Sequence, residues 1–285
     1  MKKIHLYLLG ICAALLFMQC DKIEEPFIEA GEQKVTADTP YFEVKTQFIQ
    51  KYLLEEFTGH TCMNCPKAHE IMHEMQQKMG DTLVCLAIHS GSNAKPEEGL
   101  FSADYRTDLG DYLTSHFGVS SYPSGMISRK LFEGNRVLSN RAEWKTKMAS
   151  IARTPAEIGL QIRDTSVSAH PDSAYIFVKV SYLKETARKL QLHVVVLEDS
   201  IVSAQKNGYK IDTNYVHNHM LRLNLSPLVG SVLNTNNTLE AGSSDIRAYA
   251  LWRNPAWRWK HCQIVAFVTD TETEEVLQVE NYSLR

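Results

Sequence analysis

Two cysteines separated by two residues, Cys62-Met63-Asn64-Cys65, fall where one residue periodicity gives way to another. Upstream, Leu53-Leu54-Glu55-Glu56-Phe57 reads as a short apolar strand that ends in the loop Thr58-Gly59-His60-Thr61. Downstream, Ala68, Ile71, Met72, Met75 and Met79 recur at helical spacing until Gly80 stops the helix. A strand that feeds a helix through a CxxC motif restricts the chain to an α/β unit at this point, with a redox reading for the motif. The unpaired N–H groups and dipole of a helix start stabilise a thiolate on Cys62. Cys65, one turn further in, can then resolve a mixed disulfide formed at Cys62.

The rest of the first half continues the alternation. Leu83 to Ile88 reads as a strand buried on both faces, a second helix covers Ala103 to His116, a strand runs from Ser124 to Lys130, and an amphipathic helix capped by Asn140 reaches Ala152. After Pro155 helical periodicity fades. Strands are predicted at Ile158–Ile162, Ala174–Leu183, Leu190–Leu197, His217–Leu223, Ile246–Trp252 and Cys262–Thr269, the pattern of an all-β, immunoglobulin-like sandwich. The expected division is therefore an α/β domain over 47–154 and a β-sandwich over 155–285, and the length of 285 residues suits two domains.

The N-terminus reads as an address. Lys2 and Lys3 precede an apolar run from Leu6 to Met18, too short for a permanent membrane span and suited to a secretory signal over 1–19. Cys20 follows it directly, which resembles the lipid-attachment site of bacterial lipoproteins. Residues 20–46, rich in Glu, then read as a solvated tether. The chain is expected to be held at a membrane by its N-terminal lipid. A formal net charge of -3 argues against nucleic acid as a partner.

The first half resembles the thioredoxin superfamily. Glu56-Phe57 stands where thioredoxins carry a buried acid followed by Phe, and Tyr122-Pro123-Ser124 is similar to the segment holding their active-site cis-proline. The chain departs from them at Thr61 and at Met63-Asn64, where they have Trp and Gly-Pro. A narrower resemblance is to a family of Bacteroidota outer-membrane lipoproteins named for a twenty-eight-kilodalton member. Glu55-Glu56-Phe57-Thr58-Gly59, Cys62-Met63-Asn64-Cys65-Pro66, Tyr122-Pro123-Ser124-Gly125-Met126 and His217-Asn218-His219-Met220-Leu221-Arg222 carry it. The resemblances imply a cis Pro123 beside Cys62, a buried Glu56 that accepts the Cys65 proton, and an outer-membrane location, periplasmic or cell-surface facing. Thiol–disulfide exchange on extracytoplasmic proteins, catalysed by Cys62, Cys65, Glu56 and Pro123, is the implied activity. A surface adhesin or binding lipoprotein with a redox-inert CxxC disulfide is the alternative.

Other residues have plainer explanations. Cys85 and Cys262 lie in apolar strands and read as buried, inert thiols. His69 and His73 follow the CxxC too closely to form a zinc site with it and read as solvated helix-face residues. His217 and His219 alternate on one strand face, with a structural or interdomain role preferred to metal binding. Trp252, Arg253, Trp257, Arg258 and Trp259 read as core packing around a hairpin turn at Asn254-Pro255, or as a ligand-binding tip if exposed. No cofactor and no metal is expected.

Overall fold

The computed structural model describes residues 38–167, 170–234 and 237–284. The signal segment, Cys20 and the first part of the tether lie outside the described residues. At the tether's end, Phe42 is buried and the backbone carbonyl of Glu43 accepts a hydrogen bond from the Gln161 side chain.

The first half places β1 (Tyr52–Thr58), α1 (Cys65–Met79), β2 (Leu83–His89), α2 (Asp108–His116), β3 (Ser124–Ile127) and α3 (Trp144–Ser150) in order. Helix α1 ends at Gly80, whose φ of +55° is a conformation that glycine adopts without a Cβ penalty. Helix α2 is shorter than the predicted Ala103–His116, because the Thr107 hydroxyl accepts the Gly110 N–H and starts the helix there. The predicted Asn140–Ala152 helix is a single turn of 3₁₀ helix capped by Asn140, followed by α3.

The second half is β4 (Ile158–Val167), β5 (His170–Tyr182), β6 (Leu190–Glu198), β7 (Ile201–Asn207), β8 (Lys210–His217), β9 (Met220–Asn224), β10 (Ser231–Val232), β11 (Ser244–Trp252), β12 (Cys262–Asp270) and β13 (Val276–Ser283). The single strand expected at His217–Leu223 is two, interrupted at His219, whose φ is +56°. Strands β7 and β8 form a hairpin absent from the sequence prediction; β8 is exposed over most of its length, so it lacks the apolar alternation that marks a half-buried strand. The Trp/Arg stretch is no hairpin, since β11 and β12 belong to different sheets. Trp257 and Trp259 pack partly against the core, with Arg222 5.3 Å from the Trp257 ring and Arg253 4.6 Å from the Trp259 ring.

The main sheet is mixed and runs β13-β12-β6-β9-β2-β1-β3, with β10 also paired to β6. It crosses the expected boundary at Thr154-Pro155, because β9 lies parallel to β2 and the Ala87 N–H donates to the carbonyl of His219 at 2.8 Å. A three-stranded sheet, β11-β5-β4, faces β6 and β12 over one core that includes Ile176, Val178, Val194, Val196 and Ile264. The opposite face of β6 and β12 meets the first half in a second core, with Val195, Val265 and Phe267 against Leu53, Phe57 and Leu86. A third core, including Leu54, Met72, Cys85 and Trp144, lies under α1 and α3. Strand β1 is thus buried along all seven residues, and both of its faces are covered.

Candidate functional site

The CxxC motif closes as a Cys62–Cys65 disulfide with 5.5 Å between the Cα atoms. Cys65 is the first residue of α1 and Pro66 follows, where its missing N–H costs nothing. Both cysteines are buried, Cys62 at 4% exposure, while Met63 between them is half exposed.

The second half of the chain holds the motif loop. The Gln205 side-chain amide donates to the carbonyls of Gly59 (3.2 Å) and Cys62 (3.0 Å). From the same hairpin the Lys206 N–H donates to the His60 carbonyl and the Gly208 N–H to the Met63 carbonyl, each at 2.9 Å. On its other side the motif loop is fixed by Thr61, whose N–H and hydroxyl both donate to the Asn93 carbonyl at 3.0 Å. Strand β7 therefore runs along the CxxC loop as an added edge. None of these partners follows from the motif, since Gln205 and Lys206 lie over 140 residues away in sequence.

Glu56 is fully buried. It shares a β1 face with Leu54, the face turned to α1, and pairs across the sheet with Ala87 and Gly125. Tyr122-Pro123 is a cis peptide and leads directly into β3, whose Ser124 lies opposite Phe57. Glu55, on the other face, is also fully buried and forms a bidentate ion pair with Arg129 at 2.7 and 2.9 Å.

His69 corrects the sequence reading. It is one helical turn after Cys65 and is not solvated: Nε2 lies 3.2 Å from Glu56 Oε1 and 3.0 Å from Thr58 Oγ1, and Nδ1 lies 2.5 Å from the Tyr215 hydroxyl on β8. His73 is the exposed residue of the two and contacts Gln77. His69, His73, His89, Tyr215, His217 and His219 line a cavity of about 250 Å³ between α1 and the β8–β9 segment. Neither ring nitrogen of His89 has a hydrogen-bond partner among the described residues. No group of three or more His, Cys, Asp or Glu among the described residues is arranged to hold a metal ion. Cys85 and Cys262 are buried free thiols, and burial, reinforced by nearby carboxylates, raises both above the usual thiol range.

Burial also holds three of these histidines, His89, His217 and His219, toward the neutral form. His217 is pushed down to about 3, by desolvation first and then by His69 and His60, and His89 is lowered for the same leading reason. An unfolded histidine binds its proton near pH 6.5, so the unfolded chain takes up protons first as the pH falls. The stability these residues contribute is complete above about pH 6.5 and declines toward the folded-state value. Between pH 6.5 and 5.5 each such histidine is expected to remove up to about 1.4 kcal/mol. Urea unfolding of His217→Gln beside the parent should show a shallower pH slope over this range; parallel slopes would refute the assignment.

A sequence profile described as Outer membrane protein Omp28 matches residues 110–285. The chain belongs to the Omp28 family. It is accordingly an outer membrane protein. The matched region begins downstream of the CxxC motif and contains Pro123, Gln205 and Tyr215. Among solved structures the chain is similar to HBP35 of Porphyromonas gingivalis, with 18% identity and a TM-score of 0.65 over 84% of this chain and 77% of that one, which shows a shared fold. It is also similar to a domain of the outer membrane lipoprotein Omp28 from Porphyromonas gingivalis, at 21% identity and a TM-score of 0.32, covering 46% of this chain and 89% of that one. No curated protein matches it in sequence. Among the described residues no helix is long and apolar enough to cross a membrane.

Proposed function

We propose that this protein is a lipid-anchored thiol–disulfide exchange protein of the outer membrane, acting on extracytoplasmic proteins. The observation that carries this reading is the Cys62–Cys65 disulfide at the first turn of α1, over a strand that presents buried Glu56 to the same helix. A thioredoxin-like unit over 47–154 is supported by the order strand, CxxC, helix, strand, helix and cis Pro123. An immunoglobulin-like sandwich over 155–285 is supported by two facing sheets around one core. In this reading Cys20, freed by removal of residues 1–19, carries the lipid, and 20–46 is the tether.

In the reducing direction the Cys62 thiolate attacks a substrate disulfide, bonding one substrate sulfur while the other leaves as a thiolate. The Cys65 thiol then gives its proton to the Glu56 carboxylate and attacks Cys62 Sγ. The second substrate sulfur departs as a thiolate and the Cys62–Cys65 disulfide is restored, two electrons having passed from the protein dithiol to the substrate. Oxidation of a substrate dithiol is the same sequence reversed. In this reading Pro123, the residue before β3, belongs to the site, and no cofactor is involved.

The hairpin clamp over Cys62 favours a second reading, a binding lipoprotein whose disulfide is inert. One experiment decides between them. With Cys65 replaced by Ser in cells, mixed disulfides on Cys62 are expected in the membrane fraction, absent when Cys62 is also replaced and moved to the soluble fraction by Cys20→Ser. Absence of any Cys62-dependent adduct, with no reduction or oxidation of a model disulfide substrate by the purified protein, would leave the binding reading. Adducts that stay in the membrane fraction of Cys20→Ser would refute the lipid anchor alone.

A further inference from the structure

At the end of α1 remote from the disulfide, α1 and α3 leave between them a cavity of about 430 Å³. Its floor is apolar: Met75 and Met79 come from α1, Met148 from α3, Ile151 from just past α3, and Tyr52 from the start of β1. Tyr52, Met75 and Met148 are buried, and unbranched thioether side chains adapt their shape to an apolar guest. The volume lies in the range of cavities that hold small ligands.

The mouth is charged. Glu74, Lys78, Lys145 and Arg153 are exposed around it, three cations against one carboxylate, in a chain whose formal net charge is -3. Lys145 is neutralised by Glu74, whereas Lys78 and Arg153 take part in no ion pair among the described residues. A neighbouring cavity of about 580 Å³, which shares Tyr52 and Ile151, makes the contrast. Its Lys130 lies 2.7 Å from Glu275 and its Arg188 3.6 Å from Glu157, so its charges cancel. Lys78 stands in the last turn of α1, where a cation offsets the helix dipole. That role does not account for Arg153, which lies three residues beyond α3, because the dipole's effect falls off within the last turn.

We propose that this cavity binds an amphiphilic carboxylate, a fatty acid whose alkyl tail lies among Met75, Met79 and Met148 and whose head group meets Lys78 and Arg153. The floor matches an alkyl tail and the two unpaired cations match an anion. A neutral lipid leaves the cations unanswered, and a short anion leaves the floor uncovered. Arg153 can hold a carboxylate through two N–H groups, while Lys78 supplies a point charge. Membership of an outer membrane family puts the cavity near a supply of acyl chains. Cys65 and Met79 are the two ends of α1, about 20 Å apart at about 1.5 Å per residue, so the proposal is independent of disulfide exchange.

The test is NMR titration of the intact purified protein, ¹³C-labelled at its methionine methyl groups, with octanoate, decanoate and dodecanoate below their micelle concentrations. Saturable shifts are expected at Met75, Met79 and Met148, and none at the exposed Met63 or at Met126, which is buried elsewhere. Affinity should rise about fourfold per added CH₂ until the tail fills the cavity. Lys78→Gln combined with Arg153→Gln should weaken dodecanoate binding at least about tenfold and leave dodecanol binding unchanged, since both side chains are exposed and the floor is untouched. Ala149→Trp, at an exposed position in the cavity wall, should block both ligands, with an unchanged urea midpoint showing that the fold survives. Shifts spread evenly over all methionines, or binding only above the micelle concentration, would overturn the proposal. So would dodecanoate affinity indifferent to Lys78 and Arg153. If vesicles of phosphatidylglycerol move the three methyl signals and dodecanoate does not, the face contacts a lipid surface and the fatty-acid proposal falls.

Discussion

Replacing Arg129 by Met is expected to lower folding stability by about 3–5 kcal/mol, because it leaves the Glu55 carboxylate buried without its cation. Glu55 is fully buried on β1, and both guanidinium nitrogens that reach it do so at hydrogen-bond distance. The guanidinium also lies 5.1 Å from the Phe117 ring and 5.2 Å from the Phe267 ring. Phe267 stands on β12, so this pair sits where the second half packs on the first, and its loss should loosen that seam along with β1. The midpoint of urea unfolding at constant m value measures the effect. A Glu55→Leu, Arg129→Met double variant should recover most of the loss, since two apolar residues of similar volume leave no charge stranded. A single-variant loss below about 1 kcal/mol would show that water reaches the pair and that the seam is looser than its burial implies.

The elements of the first half could be read from sequence because their own residues specify them. The apolar run of β2, the spacing of Ala68, Met72 and Met75, and Gly80 at the helix stop all act locally. What could not be read is set by contacts distant in sequence. Adjacent acids on a strand read as one inward and one outward, yet β1 is covered on both faces, by α1 on one and by Phe267 and its neighbours on the other. His69 reads as solvated because its partner Tyr215 lies 146 residues away on a strand of polar sequence. One local signal was available: His69 is four residues after Cys65 and so returns to the same helix face. Nothing in Cys62-Met63-Asn64-Cys65 announces that Gln205 will cover it. The cysteine pair was thus accessible from the motif and the buried Glu56 from the resemblance, whereas the clamp and the hydrogen-bond chain arise from the way β7 and β8 fold back over α1.

Alanine at Gly59 is expected to disturb this clamp more than the loss of any one of its hydrogen bonds. A Cβ there would lie 2.3 Å from the Asn93 carbonyl oxygen, 2.4 Å from its carbon and 2.8 Å from the Ala94 nitrogen, all backbone atoms that cannot rotate away. Either Asn93 retreats, taking with it the acceptor of the Thr61 N–H and hydroxyl, or Gly59 shifts and its carbonyl leaves the Cys62 N–H and the Gln205 amide. Overpacking against backbone plus the lost bonds should cost about 2–4 kcal/mol. The more informative measurement is the rate at which dithiothreitol reduces Cys62–Cys65 in the folded protein. Because both cysteines are buried and the clamp holds the loop that carries Cys62, Gly59→Ala should speed that reduction at least about tenfold, the factor that follows if the opening free energy falls by 1.4 kcal/mol. Gln205→Ala, which removes one donor and leaves the backbone in place, should accelerate it less. Equal rates in the parent and Gly59→Ala, with the variant folded, would mean that the hairpin does not limit access. If reduction is fast in Gly59→Ala while substrate adducts on Cys62 disappear, the loop that hides the disulfide is also the surface that presents it to a partner.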